Sequence, residues 1–75
     1  MLLSSVQDGC SVRVEQLPSH PVLRNRLIAM GVKPGARLEV LRRGSPGGIL
    51  HLNCGALEFM LRLEHASELI VSFVH

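Results

Sequence analysis

The chain has 75 residues, of which 47% are hydrophobic and 19% charged, so it suits one small folded domain and not a disordered tail. Its net charge is only +2, and two phenylalanines stand without any tyrosine or tryptophan, which argues against nucleic-acid binding by base stacking. No apolar run approaches the roughly 18 residues of a membrane span, and no signal peptide is evident. We expect a single domain over residues 1–75, located in the cytoplasm.

The first predicted strand covers residues 11–15, where polar and apolar side chains alternate. Val12 and Val14 occupy its inward positions. Leu17 breaks the alternation, so we expect a β-bulge or the end of the strand near Gln16.

A short helix is predicted over residues 21–30, after a link in which Ser19 or His20 can act as the N-cap. Pro21 suits the first turn, because its missing N–H would have no partner there. Apolar residues recur at helical spacing and define a core-facing stripe. This stripe consists of Leu23, Leu27 and Met30.

The opposite side of this helix is more apolar than an exposed face requires. It carries Val22 and Ile28. Two alternatives stay open: the loop of residues 44–48 covers these side chains, or a partner protein does.

The end of the helix has a strong local signal. Gly31 occupies the position where a left-handed backbone commonly ends a helix, so we expect a positive φ there. Val32 follows, where an apolar side chain often packs back on the last turn. Lys33, Pro34 and Gly35 form a turn, since proline cannot continue the helix.

The remaining elements are predicted as three strands in a meander, one helical turn and a final strand. Their ranges are 36–42, 49–52, 56–63, 64–68 and 69–74, with a hairpin turn at 53–55. Five short strands cannot build a two-sheet sandwich, whereas a small curved barrel removes the edges of its sheet. We therefore predict a mostly β, SH3-like five-stranded barrel with one short α-helix and a one-turn helix before the last strand.

Positive charge is concentrated in the middle of the chain. Residues 24–43 hold six basic residues and one acidic one, a net charge of +5. The basic residues are Arg24, Arg26, Lys33, Arg37, Arg42 and Arg43. This segment forms either a solvated basic face or a surface for an acidic partner.

Catalytic and metal-binding motifs are not evident. No Ser–His–Asp spacing or pair of carboxylates indicates an enzyme. His51 and Cys54 have the spacing of a ligand pair, but residues three apart in a strand point to opposite faces. We predict no cofactor and no metal site, although weak metal binding by surface histidines stays open. Cys10 and Cys54 are expected to be free thiols.

The segment of residues 26–35 resembles a motif of the FeoA family, Arg-Leu-x-x-hydrophobic-Gly-hydrophobic-x-Pro-Gly. The matching structural positions include Leu27, Met30, Gly31, Pro34 and Gly35. Residues 61–66, followed by 69–71, resemble the family's Leu-Arg-x-x-x-Ala and closing strand, and Gly9 matches ahead of the first strand. The loop at 45–49 reads Ser-Pro-Gly-Gly-Ile, where the family commonly has Pro-x-Gly-Asp-Pro.

This resemblance implies a non-catalytic accessory protein of bacterial ferrous iron uptake. Such a protein binds and modulates a FeoB-type membrane GTPase transporter, which would recruit it to the inner face of the membrane. The expected partner-binding residues are Arg24, Arg26, Ile28 and Lys33. Two alternatives are the SH3-like regulatory domain of a metal-dependent transcriptional repressor and a basic nucleic-acid-binding module. We expect no nucleic-acid partner, and weak homo-oligomer formation stays open.

Overall fold

The computed structural model describes residues 1–44 and 47–74, and over these ranges the chain forms five strands and two α-helices. The elements are β1 Ser11–Gln16, α1 Pro21–Ala29, β2 Arg37–Arg43, β3 Ile49–Cys54, β4 Leu57–Arg62, α2 Leu63–Ala66 and β5 Ile70–Phe73. The strands form one antiparallel sheet in the order β4-β3-β2-β1-β5. The predicted mostly β fold, with its short helix and its one-turn helix before β5, is confirmed.

Two register shifts bend the sheet. One lies between Val14 and Gln16, where β1 pairs with β5, and the other between Val40 and Arg42, where β2 pairs with β3. A bulge bends its strand and increases the local twist, so the short sheet can curve around a core. The irregularity predicted near Gln16 is confirmed.

The core is built from leucine, valine and a single alanine, and no polar or charged side chain is buried in the described part of the chain. Its members are Leu3, Val6, Val12, Val14, Leu23, Leu27, Val32, Leu38, Val40, Leu50, Leu52, Leu61, Ala66, Leu69 and Val71. The inward positions predicted for β1, Val12 and Val14, are both among them. Burial of this apolar surface is the main favourable term in folding.

The N-terminal segment contributes to the core and to the sheet, although no element was predicted before residue 11. A 3-10 turn, Leu3–Ser5, buries Leu3, and the N–H of Leu3 donates to the carbonyl oxygen of Leu69 at 3.0 Å. Leu2 also forms an isolated antiparallel bridge with Ile70. The segment therefore covers the outer edge of β5, which would otherwise offer unpaired backbone groups.

The β3–β4 hairpin lies later in the chain than predicted. Strand β3 continues to Cys54, and the turn residues are Gly55 and Ala56 instead of residues 53–55. Gly55 has a φ of 61°. Glycine at the first of two central positions is what a type II′ hairpin turn requires, and this preference fixes the position of the turn.

Strand β4 is also shorter than predicted, because Leu63 begins α2 and does not extend the strand. Alternate positions of β4 carry apolar side chains, of which Leu61 is buried, Phe59 is half-buried and Leu57 is exposed. The hairpin end of the strand thus extends past the core. Within residues 1–44 and 47–74, neither helix has the length and apolar character needed to span a bilayer.

Candidate partner-binding surface

Helix α1 and the turn that follows it carry every partner-binding residue predicted from the sequence. Of the two candidate caps, His20 is the one used: the backbone N–H of Leu23 donates to its Nδ1 at 3.5 Å. Pro21 occupies the first helical position, as expected. Leu23 and Leu27 are buried and Met30 is half-buried against the core, which attaches the helix by the predicted stripe.

The C-terminal end of α1 is closed by two backbone hydrogen bonds. The N–H of Val32 donates to the carbonyl oxygen of Leu27 at 2.9 Å, and that of Gly31 donates to Ile28 at 2.9 Å. This pair of bonds is the Schellman motif, which satisfies carbonyl groups left over at a helix end. Gly31 has a φ of 86°, so the predicted left-handed backbone is confirmed. Val32 is fully buried, so its side chain packs back on the core.

A second turn connects the helix to β2. The N–H of Ala36 donates to the carbonyl oxygen of Lys33 at 2.9 Å, and Gly35, with a φ of 91°, supplies the positive φ that a type II turn needs. The N–H of Gly35 donates to Val14 at 2.8 Å, which fixes the turn to β1. Lys33 is therefore presented on a rigid turn, with its side chain exposed.

The outer face of α1 carries exposed apolar side chains. Val22 is 62% exposed and Ile28 is 41% exposed. The loop considered as a cover, residues 44–48, includes Ser45 and Pro46, which lie outside the described residues. Both side chains have apolar surface in contact with solvent, which a bound protein would bury.

The two arginines of α1 lie on different flanks of the helix. Arg24 and Ile28 are four residues apart and share one flank, where Arg24 lines a shallow depression with Pro34. Arg26 lies about 200° around the axis from Arg24, because successive residues are about 100° apart. It faces α2, where it lines a depression with His65. The structure thus groups Arg24 with Ile28 and separates both from Arg26.

Two other basic residues of the segment, Arg37 and Arg43, form hydrogen bonds away from α1. Arg43 donates from Nη2 to the carbonyl oxygens of Ser4 at 2.9 Å and Val6 at 2.7 Å, so it holds the N-terminal segment against β2. Arg37 donates to Ser11 Oγ at 3.4 Å on the sheet. Sequence reasoning did not identify the role of Arg43, because its two acceptors lie nearly 40 residues away along the chain.

The candidate metal ligands are not brought together. Over the described residues, no three His, Cys, Asp or Glu side chains are placed so as to hold a metal ion. His51 lies opposite Met60 on the β3–β4 ladder, whereas the Cys54 thiol donates toward the carbonyl oxygen of Gly31 at 3.8 Å. Both cysteines are free thiols.

A groove that sequence reasoning missed runs between α1 and the β4–α2 segment. It consists of two adjoining depressions of about 280 and about 230 Å³. Leu23, Arg26 and His65 line both. The first is closed by His20, Val22 and Glu68, and the second by Leu27, Met30, Met60, Leu61 and Arg62. The alternation of β4 is enough to predict that Met60 and Arg62 face outward. The sequence pattern of β4 cannot show that this strand lies beside α1.

Comparison with protein families identifies a relationship over nearly the whole chain. A model described as the FeoA domain matches residues 1–72. The comparison with curated proteins gave no match.

Solved structures share the fold. The solution NMR structure of the FeoA protein from Chlorobium tepidum has a TM-score of 0.95 at 29% identity, covering 100% of this chain and 71% of that protein. The zinc-complexed FeoA from Stenotrophomonas maltophilia, described as a procaryotic SH3 domain protein and a candidate ferrous iron transport activating factor, has a TM-score of 0.83 at 25% identity. The match covers 96% of this chain and 89% of that one.

A longer protein contains the same fold. A manganese-dependent transcriptional repressor has a TM-score of 0.88 at 20% identity, over 99% of this chain and 41% of the repressor. At this identity the likeness shows the fold alone. The SH3-like architecture predicted from the sequence is confirmed by these comparisons.

Proposed function

Because the chain belongs to the FeoA family, we propose that it is a non-catalytic accessory protein of bacterial ferrous iron uptake. It would act from the cytoplasmic side by binding a FeoB-type membrane GTPase transporter and changing the transporter's activity. The observation that carries this proposal is the match of the FeoA domain to residues 1–72. The Stenotrophomonas maltophilia relative, described as a candidate ferrous iron transport activating factor, supports it.

We further propose that helix α1 and its following turn form the docking surface. Ile28 and Arg24 are exposed on one flank of α1, and Val22 and Arg26 are exposed on the other. Lys33 adds an exposed positive charge on the turn. Apolar contact with a charged rim is the usual composition of an interface, since charge steers encounter and burial stabilises the complex. The rigid caps of α1 favour this surface, because little conformational entropy is lost when it binds.

The test uses the full-length transporter encoded by the same organism, purified in lipid nanodiscs. Immobilised transporter should bind the protein saturably, and its rate of GTP hydrolysis or iron transport should change when the protein is added. Duplex DNA at the same ionic strength is the comparison ligand. Binding to DNA that falls steeply with salt, together with no binding to the transporter, would contradict the proposal and favour a nucleic-acid-binding module.

A further inference from the structure

We propose that the groove between α1 and the β4–α2 segment binds an extended peptide segment with the pattern apolar-x-acidic-x-apolar. The inference rests on the proposed function in one respect: the segment would belong to a cytosolic part of the transporter. The residues that line the groove determine the chemistry of that segment.

The size of each depression suits one side chain of a bound segment. Its two depressions measure about 280 and about 230 Å³. Pockets for drug-sized ligands and cofactors begin near 300 Å³, while a cavity of about 150 Å³ already holds one benzene ring. Each depression therefore fits one large apolar side chain, and the two together fit a pair of side chains from one segment.

The length of the groove sets the spacing of that pair. Val22 lines one end and Met30 the other, and they are separated by about 12 Å at 1.5 Å per residue along the helix. An extended chain advances about 3.3 Å per residue, so residues i and i+4 are about 13 Å apart. Side chains of an extended chain alternate in direction, so residues i, i+2 and i+4 all face the groove.

The charge at the centre of the groove selects the middle residue. Arg26 lines both depressions, and no salt bridge to it is present within the described residues. His65 lies beside it in both depressions. A carboxylate at position i+2 would reach this arginine between the two apolar anchors, and arginine pairs well with carboxylates.

Other charged side chains also line the groove. Glu68 lines the first depression together with His20 and Arg26, and its carboxylate disfavours a ligand carboxylate placed beside it. Among the described residues that line the second depression, Arg26 and Arg62 are charged and none is acidic, so a ligand carboxylate is favoured on that side of Arg26. Arg62 forms a 3.6 Å ion pair with Glu64, and both side chains are mostly exposed. Exposed pairs of this kind contribute about 0–1 kcal/mol, so this pair does not compete strongly with a ligand. Arg26, which lines both depressions, therefore remains the group that a ligand carboxylate would contact.

The wall of the groove favours an extended ligand. Strand β4 stands at the edge of the sheet and, in the part of the chain described, pairs only with β3. The other edge strand, β5, is covered by the N-terminal segment through Leu2 and Leu3. Unpaired backbone groups along β4 can accept an added strand, which is a common mode of peptide recognition.

The test is an NMR titration of the ¹⁵N-labelled protein with two synthetic peptides. One is centred on Leu-Ser-Glu-Ser-Leu and the other on Leu-Ser-Lys-Ser-Leu, both with blocked termini. The glutamate peptide should bind at least tenfold more tightly and shift the amide signals of Val22, Arg26, Met60 and His65. Equal affinity of the two peptides, or shifts confined to another surface, would overturn the inference.

Matched variants assign the contacts. Arg26→Glu should reverse the preference, so that the lysine peptide binds more tightly, whereas Arg13→Glu makes the same charge change on β1 and should leave the preference intact. Met60→Ala should lower the affinity at least threefold. Leu57→Ala, on the same strand but outside the groove, should lower it less than twofold. Both apolar residues are exposed, so both variants should retain the native spectrum.

Two further measurements separate this inference from the proposed function. If the nanodisc transporter binds the original protein and Arg26→Glu equally, the groove assignment and the contribution of Arg26 to docking are both wrong, while the proposed accessory role stands. If the transporter binds neither while the peptide preference holds, the groove stands and the proposed partner is wrong. If sedimentation shows a dimer that Met60→Ala dissociates, the groove holds a second copy of the chain and the inference is overturned.

Discussion

The N–H of Val32 donates to the carbonyl oxygen of Leu27 at 2.9 Å, and both side chains are fully buried. One backbone bond therefore connects the last turn of α1 to the first core residue after it. Because Gly31 lies between them with a positive φ, the chain reverses at the point where the helix must end. The exposed face of α1 gains its rigidity from this junction, which makes the junction the first target for mutation.

Leu27 should be required for folding. Leu27→Ala removes a fully buried side chain and should cost roughly 2–5 kcal/mol, a large share of the stability of so small a domain. Urea unfolding monitored by circular dichroism measures the change. Ile28→Ala is the matched control, because the neighbouring side chain is 41% exposed and should change stability far less. Equal losses in the two variants would contradict the assignment of the core-facing stripe.

The loss of stability on substituting Gly31 should depend on how readily the new residue adopts a left-handed backbone. A Cβ added at Gly31 would meet no atom within 4 Å, so the cost of substitution is conformational and not steric crowding. Gly31→Val should destabilise the protein by more than about 1 kcal/mol, since β-branched residues resist positive φ. Gly31→Asn should cost less, because asparagine adopts this region more readily. If thermal unfolding places the two variants at the same midpoint, the backbone argument fails.

The elements foreseen from the sequence are those encoded by local signals. The stripe through Leu27, the stop at Gly31 and the inward valines of β1 each depend on residues within a few positions of one another. The groove could not be foreseen, and neither could the hydrogen bonds from Arg43 to the N-terminal segment. Both join segments that are distant along the chain. Leu3 was missed for a related reason: a single turn has no periodicity, and its burial depends on contact with β5.

Arg43 should stabilise the N-terminal segment through its two carbonyl acceptors. Arg43→Met keeps much of the aliphatic length but removes both hydrogen bonds, and we expect a loss of about 1 kcal/mol. Amide hydrogen exchange should accelerate at Leu3 and Val6. Arg42→Met is the control, because Arg42 makes no side-chain hydrogen bond within the described residues. Unchanged exchange at Leu3 in Arg43→Met would show that the segment is held by packing alone.

The two cysteines should remain free thiols in the purified protein. Cys10 packs against the core, and the Cys54 thiol faces the carbonyl oxygen of Gly31. Each cysteine therefore contacts a different part of the protein, and the two thiols are not paired with each other. Titration of the native protein without reductant should find two thiols per chain. A native mass lower by two hydrogens would instead indicate an intramolecular disulfide.

On the flank of α1 that carries Arg24 and Ile28, binding to the transporter should have two separable contributions. Ile28 should supply an apolar contact, and Arg24 should supply electrostatic attraction. Ile28→Ala should leave the fold nearly intact and weaken binding through faster dissociation, because apolar area buried in a complex acts mainly on the off-rate. Arg24→Glu should mainly slow association, and the difference should shrink as salt is raised, because screening shortens the range of the charge. Surface plasmon resonance at two salt concentrations measures both rates.

The control for this prediction is Arg13→Glu, which changes the net charge equally but lies on β1, outside the residues that line the depression beside Arg24. It should affect association only through the total charge, and so by less than Arg24→Glu. If Arg13→Glu and Arg24→Glu slow association equally while Ile28→Ala leaves dissociation unchanged, the transporter does not bind this flank. The binding surface must then be sought elsewhere on the protein, with the family assignment unaffected.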